Sequence, residues 1–160
     1  MKTMDQKEFA RENVFGLGAE NTAYAKYFIG QSYLNPLTNP ESGLFLANVT
    51  FEPGCRNNWH IHHAKKGGGQ MLICTAGEGW YQEEGKAPVS LTAGTVITIP
   101  PEVKHWHGAK KDSWFSHCSG IVGWRDLALS STLREYSEKQ AVIASACPDL
   151  KNSRYFPGSV

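Results

Sequence analysis

Short runs of alternating apolar and polar residues, separated by Gly, Pro and Asn, fill the middle of the chain from about residue 22 to 123. In the clearest run, every second residue is apolar: Phe45, Ala47, Val49 and Phe51. Because strand side chains alternate between faces, this run predicts a strand with one buried face. Similar runs lie at 22–34, 58–62, 70–75, 79–83, 96–99 and 114–122. Many short strands at about 8–12-residue spacing predict an all-β sandwich or barrel.

The two ends of the chain have a different pattern. The first 20 or so residues are polar, and the stretch 7–14 suits either a short helix or a loose arm. After about residue 127, Leu129, Leu133 and Tyr136 share one helical face, and Pro148 would end that helix. Such a helix could cover the barrel or carry a subunit contact. We therefore predict an N-terminal arm (1–20), a β-barrel (21–125), and a C-terminal helix and tail (126–160).

Composition and charge narrow the class of protein. The 160 residues suit one domain, and 16 Lys+Arg against 15 Asp+Glu argue against a nucleic-acid binder that uses a strong basic field. No apolar run approaches the roughly 18 residues of a membrane helix, and the charged start lacks a signal-peptide core. We expect a cytoplasmic protein without nucleic-acid or membrane partners. The four cysteines form no C-x-x-C pair, which argues against a zinc knuckle and a thioredoxin-type redox motif. A chain of this size needs no disulfide framework, and reduced thiols fit the cytoplasm.

The histidines are the most informative residues. All six lie in the middle of the chain: His60, His62, His63, His105, His107 and His117. Two H-x-H pairs lie about 40 residues apart, and residues at i and i+2 of a strand point the same way. If the pairs face each other across a barrel, their nitrogens converge as a divalent metal requires. A single H-x-H pair is weak evidence, since surface or core histidines also produce it.

Glycine and proline spacing around both pairs strengthens the metal hypothesis. The two segments read Gly54-x5-His60-x-His62…Gln70-x6-Gly77 and Gly94-x5-Pro100…His105. They resemble the two motifs of the cupin superfamily. The nearest resemblance is to the bacterial carboxymuconolactone-decarboxylase-associated cupins, a group that includes manganese-dependent hydroxynitrile lyases. The resemblance spans about residues 45–118 and implies a jelly-roll β-barrel fold, to which the residue pattern adds the C-terminal helix. It also implies a divalent metal, with Mn or Fe favoured over Ni, Co or Zn, bound by His60, His62, Gln70 and His105.

The chain departs from the usual cupin motif at several positions. Gln70 stands where most cupins have Glu, as it also does in the hydroxynitrile-lyase-like group. The loop 63–69 is longer than usual and makes His63 a rival ligand, although a neighbour of His62 should point the other way. Glu102 and Ala109 replace the glycine and the terminal Asn of the second motif. Three imidazoles and an amide would leave a divalent charge uncompensated, which strengthens the metal as a Lewis acid.

The resemblance also implies roles beyond metal binding. Histidines that match His107 and His117 line the pocket of the similar lyases and serve in proton transfer; the alternative is that they only orient a ligand or a water. We therefore predict a metal-dependent lyase that cleaves a C–C bond of a small molecule, hydroxynitrile-lyase-like or decarboxylase-like. The alternatives are an Fe(II) dioxygenase and a non-catalytic cupin that binds or senses a metabolite. We also predict a homodimer, because shared edge strands would protect exposed edges.

Overall fold

The computed structural model describes residues 4–39, 44–64 and 68–120. Within these ranges the helical elements are α1 (Gln6–Glu12) and a 3₁₀ turn (Ala25–Tyr27). The strands are β1 (Ala19–Glu20), β2 (Phe28–Ile29), β3 (Ser32–Pro36), β4 (Leu46–Phe51), β5 (Arg56–Asn57), β6 (Gln70–Glu83), β7 (Val89–Thr92), β8 (Val96–Ile99), β9 (His105–Ala109) and β10 (Phe115–Gly120). No helix in these ranges is long and apolar enough to cross a membrane. The predicted C-terminal helix and tail (126–160) lie outside the described residues.

One long strand holds the two halves of the sheet together. The antiparallel order is β1-β3-β4-β10-β6-β9-β5-β2, with β7 and β8 also paired to β6. The first part of β6 pairs with β10 and β8, and its second part pairs with β9 and β7. Because both halves share β6, the sheet curls and its two halves enclose a common interior. This curled antiparallel sheet confirms the predicted all-β fold class.

The chain approaches β6 very closely at Gly77, where β6 passes the start of β10. Gly77 has a φ of +68°, and a β-carbon there would lie 1.9 Å from the carbonyl oxygen of Trp114, so only glycine fits this approach. The register of β10 against β6 shifts between Ser116 and His117. Such an irregularity re-aims the side chains that follow it. Here the next residue is His117, whose side chain is fully buried.

The N-terminal segment packs on the outer face of the sheet. Asp5 caps α1 by accepting the backbone N–H of Glu8 at 2.9 Å. Phe9 is 1 % exposed and stacks on Trp114 with ring centroids 5.5 Å apart. Beyond the helix, Asn13 donates its amide to buried hydroxyl groups of β4 and β10. The stretch in which sequence allowed either a short helix or a loose arm is therefore a helix with a buried aromatic anchor.

The predicted strands agree with the structure to different degrees. The runs 44–51 and 96–99 correspond to β4 and β8, and the runs 70–75 and 79–83 are parts of the single strand β6. The predicted strand 58–62 is wrong, since β5 ends at Asn57 and His60 forms only an isolated bridge with His105. The His60 ring instead bonds the carbonyl oxygen of Asn58 at 2.8 Å. This local bond turns the chain away from a continuous ladder.

Candidate metal centre

Three histidines from two separate segments converge in the interior of the curled sheet. A nitrogen of His60, of His62 and of His105 all lie within 4.8 Å of one another. The ring centroids of His60 and His105 are 4.2 Å apart, and the bridge between these two residues fixes their backbones. His105 is fully buried, whereas His60 and His62 are partly exposed. The cluster therefore lies at the edge of the interior, open to solvent on the side of the first histidine pair.

Hydrogen bonds to the backbone orient two of these rings. Nδ1 of His60 lies 2.8 Å from the carbonyl oxygen of Asn58, and Nδ1 of His105 lies 2.8 Å from that of Val103. A carbonyl oxygen only accepts, so each Nδ1 carries the proton and each Nε2 keeps a free lone pair. Burial lowers the pKa of His105 to about 4 and also lowers that of His60. Both rings are therefore neutral ligands at neutral pH.

His62 supplies the third lone pair. Its Nε2 is buried and has no hydrogen-bond partner among the described residues. Burial, and then the neighbouring His60 and His105, lower the pKa of His62 to about 4. A buried polar atom without a partner costs free energy, and such atoms in native proteins usually mark an absent water or ion.

Gln70, the first residue of β6, completes the group. Its Oε1 lies 3.1 Å from Nε2 of His105, and its Nε2 donates to Oγ of Ser119 at 2.7 Å. The Gln70 amide also contacts His60 and His62 closely enough to raise the pKa of each ring, against the larger effect of burial. In this orientation the amide oxygen lies beside a group of three imidazole nitrogens that are within 4.8 Å of one another. Acceptors repel one another there unless a cation lies between them, so the donor set fits a divalent metal.

A second pair of histidines lies behind this cluster. His107 is 2 % and His117 0 % exposed, and Nε2 of His117 lies 3.1 Å from Nδ1 of His107. One of these two nitrogens must donate to the other, so one proton lies between Nε2 of His117 and Nδ1 of His107. The His107 ring centroid is 5.8 Å from that of His60. The pair is thus adjacent to the three-histidine cluster but separate from it.

Asn57 and Phe51 hold the His107–His117 pair in place. Asn57 accepts the backbone N–H of His107 at 2.9 Å, which fixes the amide orientation. Its Nδ2 lies 2.9 Å from Nε2 and 3.3 Å from Nδ1 of the His107 ring. With the amide in this orientation Nδ2 is the donor, and the closer ring nitrogen, Nε2 of His107, accepts from it. Burial lowers the pKa of His117 to about 4 and that of His107 well below its usual value, so both rings are neutral at neutral pH.

The rival ligand His63 lies outside the cluster. Its side chain is 74 % exposed and donates to Oε2 of Glu102 at 2.7 Å. Sequence reasoning gave no role to Asn57, Ser119 or the Glu102 side chain. For Ser119 a signal existed, because it lies two residues after His117 on one strand and so shares its face. For the other two no signal existed, because their contacts join segments that are far apart in sequence.

Comparison with known proteins agrees with this architecture. Residues 47–114 match the family model described as a cupin domain. The (R)-mandelonitrile lyase of Granulicella tundricola is 41 % identical over 104 residues, which cover 64 % of this chain and 76 % of that protein. The curled antiparallel sheet and the three converging histidines place the protein among the β-barrels that have a candidate metal centre. The chain belongs to the cupin family.

Solved structures give the same result for the fold. The crystal structure of a cupin-like protein from Thermotoga maritima matches with 39 % identity and a TM-score of 0.60, covering 67 % of this chain and 78 % of that one. A second Thermotoga maritima structure, described as a predicted oxalate decarboxylase, matches with 17 % identity and a TM-score of 0.57. It covers 78 % of this chain and all of the other, and at that identity the likeness concerns the fold alone.

Proposed function

We propose that the protein is a metal-dependent lyase that cleaves a C–C bond in a small hydroxylated molecule such as a cyanohydrin. The observation that carries the proposal is the arrangement of a neutral donor set beside a buried, neutral histidine pair. The similarity to an (R)-mandelonitrile lyase at 41 % identity supports this class of reaction. A decarboxylase-like step on a carboxylactone is the second reaction that such a centre suits.

In this proposal His60, His62, Gln70 and His105 hold a divalent cation. Imidazole and amide oxygen suit Mn, Fe, Ni, Co and Zn, and we favour Mn or Fe. When bound, the cation would supply Lewis acidity toward a hydroxyl or carbonyl oxygen of the substrate. Among the described residues the cluster contains no Asp or Glu, so the protein itself contributes no negative charge to it. Such a centre favours an oxygen that gains negative charge during the reaction.

His107 is our candidate for the proton transfer, because it is the member of the buried pair nearer to the cluster. When Nδ1 carries the proton that lies between it and His117, Nε2 has the free lone pair and would accept the substrate proton in place of its bond from Asn57 Nδ2. The lowered pKa keeps this nitrogen unprotonated at neutral pH and favours return of the proton to the leaving group. His117 would act through His107, by exchanging the shared proton and holding the ring in place.

The test is turnover by the metal-loaded protein. The purified chain, loaded separately with Mn²⁺ and Fe²⁺, is incubated with (R)-mandelonitrile, and release of benzaldehyde is followed by absorbance. We expect His105→Ala to lose metal and activity together, and His107→Phe to keep the metal but lose activity by at least about 100-fold. Val96→Thr, at a side chain on the exposed edge strand β8, serves as the control.

The proposal fails if the metal-loaded protein turns over neither mandelonitrile-type nor carboxylactone substrates. Oxygen uptake that depends on Fe(II) would instead identify a dioxygenase. Metal and metabolite binding without turnover would identify a binding or sensor protein. The homodimer remains a prediction, and sedimentation equilibrium tests it directly; a monomer at all concentrations would contradict it.

A further inference from the structure

Glu102 has an unusual backbone conformation for its residue type. Its φ is +66°, and among the described residues it is the only non-glycine with a positive φ. A residue with a β-carbon pays a steric cost in this region, which is why glycine usually occupies it. The cupin motif has glycine at this position, directly after the proline pair. A glutamate is therefore expected here only if its side chain does something that glycine cannot do.

The side chain and backbone of Glu102 form hydrogen bonds with three consecutive residues, 62–64. The backbone N–H of Glu102 donates to the carbonyl oxygen of His62 at 3.0 Å. Its Oε1 accepts the backbone N–H of Ala64 at 3.0 Å, and its Oε2 accepts Nδ1–H of His63 at 2.7 Å. The first bond would survive replacement by glycine, but the other two require the carboxylate. The segment that follows the metal-ligand candidate His62 is thus attached to the loop that leads into β9.

The other end of the loop 63–69 contacts the residues just before Glu102. Gly69 has a φ of +85°, and a β-carbon there would lie 2.2 Å from the carbonyl oxygen of Ile99 and 3.0 Å from the backbone nitrogen of Pro101. The loop 63–69, which is longer than in the usual cupin motif, therefore starts and ends against residues 99–102. The two departures from the motif, the longer loop and the glutamate in place of glycine, meet in one set of contacts.

His62 needs such support more than the other two histidines. The rings of His60 and His105 are each oriented by a bond from Nδ1 to a backbone carbonyl oxygen. In the described part of the chain the structure gives the His62 ring no bond of this kind, and its Nε2 has no partner. The placement of that nitrogen therefore depends on how firmly the backbone around His62 is held.

We propose that Glu102 is a positioning residue that holds the backbone of residues 62–64 so that Nε2 of His62 points into the metal centre. The inference rests on the metal site in the proposed function. The carbonyl oxygens of Asn58 and Val103 orient the other two rings directly, whereas Glu102 acts on the backbone that carries the His62 ring. Outer partners of this kind typically change metal affinity by about 10–100-fold.

The experiment measures Co²⁺ binding, because the visible absorption of Co²⁺ reports both its affinity and its ligand geometry. The full chain is stripped with a chelator and titrated with Co²⁺ for wild type, Glu102→Gly and Glu102→Gln. We expect Glu102→Gly to weaken Co²⁺ binding by about 10-fold or more and to change the spectrum. The urea midpoint of the metal-free variant should not fall, since glycine suits the positive φ. Glu102→Gln keeps an oxygen for Ala64 and should restore part of the affinity.

Glu84→Gln is the matched control, since Glu84 forms an exposed ion pair with Lys104 near the same loop but does not touch residues 62–64. Hydrogen exchange of the Ala64 amide checks that its bond to Glu102 has been removed. We expect slow exchange in wild type and fast exchange in Glu102→Gly. If that amide is released and Co²⁺ affinity and spectrum stay those of wild type, the inference is overturned while the metal site stands. If wild type itself binds no Co²⁺, or His105→Ala binds it equally well, the metal site falls and the inference falls with it.

Discussion

Acidification should destabilise the metal-free protein well above the pH at which carboxylates titrate. Burial lowers the pKa of His105 and His117 to about 4, and burial with neighbouring histidines does the same for His62. In the unfolded chain each ring has a pKa of about 6.5. Between these two values the unfolded state binds more protons than the folded state. Stability is therefore greatest above about pH 6.5 and falls as the pH decreases toward 4.

The size of the effect follows from the same pKa values. A ring whose pKa is about 4 when folded and about 6.5 when unfolded loses about 2 kcal/mol of folding free energy by about pH 5. Three such rings together lose up to about 6 kcal/mol, which is comparable to the entire stability of an ordinary domain of about 5–15 kcal/mol. The metal-free protein should accordingly be close to unfolding at about pH 5.

Urea denaturation with a chelator present, followed by tryptophan fluorescence at about pH 7.5, 6 and 5, measures this loss. Carboxylates contribute little in this window because their pKa values lie near 4. The variant His117→Gln removes one titrating ring and should reduce the loss between about pH 7.5 and 5 by about 2 kcal/mol. A free energy of unfolding that stays constant between about pH 7.5 and 5 would show that the histidines are not buried as neutral rings.

Three further predictions concern single side chains. Ser119→Ala removes the acceptor for the Gln70 amide and should weaken Co²⁺ binding by about 10-fold in a titration; unchanged affinity would mean that Ser119 does not orient Gln70. Gln70→Glu brings a carboxylate to a site of neutral donors and should strengthen Co²⁺ binding by about 10-fold or more, with weaker binding as the contrary result. Phe9→Ala removes the ring stacked on Trp114 and should lower the free energy of unfolding in urea by about 3 kcal/mol without changing Co²⁺ affinity; a loss below about 1 kcal/mol would show that α1 is not docked.

Local alternation was enough to predict most of the sheet. The apolar face of β4 and the full extent of β8 follow from side-chain periodicity. Alternation did not predict that the other face of β4 is buried too, where Asn48 and Thr50 contact Asn13. The same reasoning failed at 58–62, where His60 and His62 lie on an irregular segment and not on a strand. They still converge with His105, because an isolated bridge, the Asn58 carbonyl oxygen and the Glu102 contacts replace the strand ladder.

Sequence could not predict how the histidines of β9 and β10 meet. These strands do not pair with each other in the sheet order; both pair with β6, on either side of its bend at Gly77. His107 lies opposite Tyr81 and His117 opposite Cys74, so only the curl of the sheet brings their rings together. Curvature depends on packing across the whole barrel, including the close approach of Gly77 to Trp114. No local pattern encodes that distance.

The neutral ligand set and the buried histidine pair belong together electrostatically. A carboxylate at position 70 would favour the charged form of the neighbouring imidazoles and would raise their pKa. With Gln70 there, the cluster contains no acidic residue among those described, and the rings of His107 and His117 stay neutral at neutral pH. A cation at the cluster would lower the pKa of both rings further. If a cation is bound as proposed, the amide at position 70 would keep a neutral proton acceptor beside a positive charge, which would suit removal of a proton from a substrate oxygen.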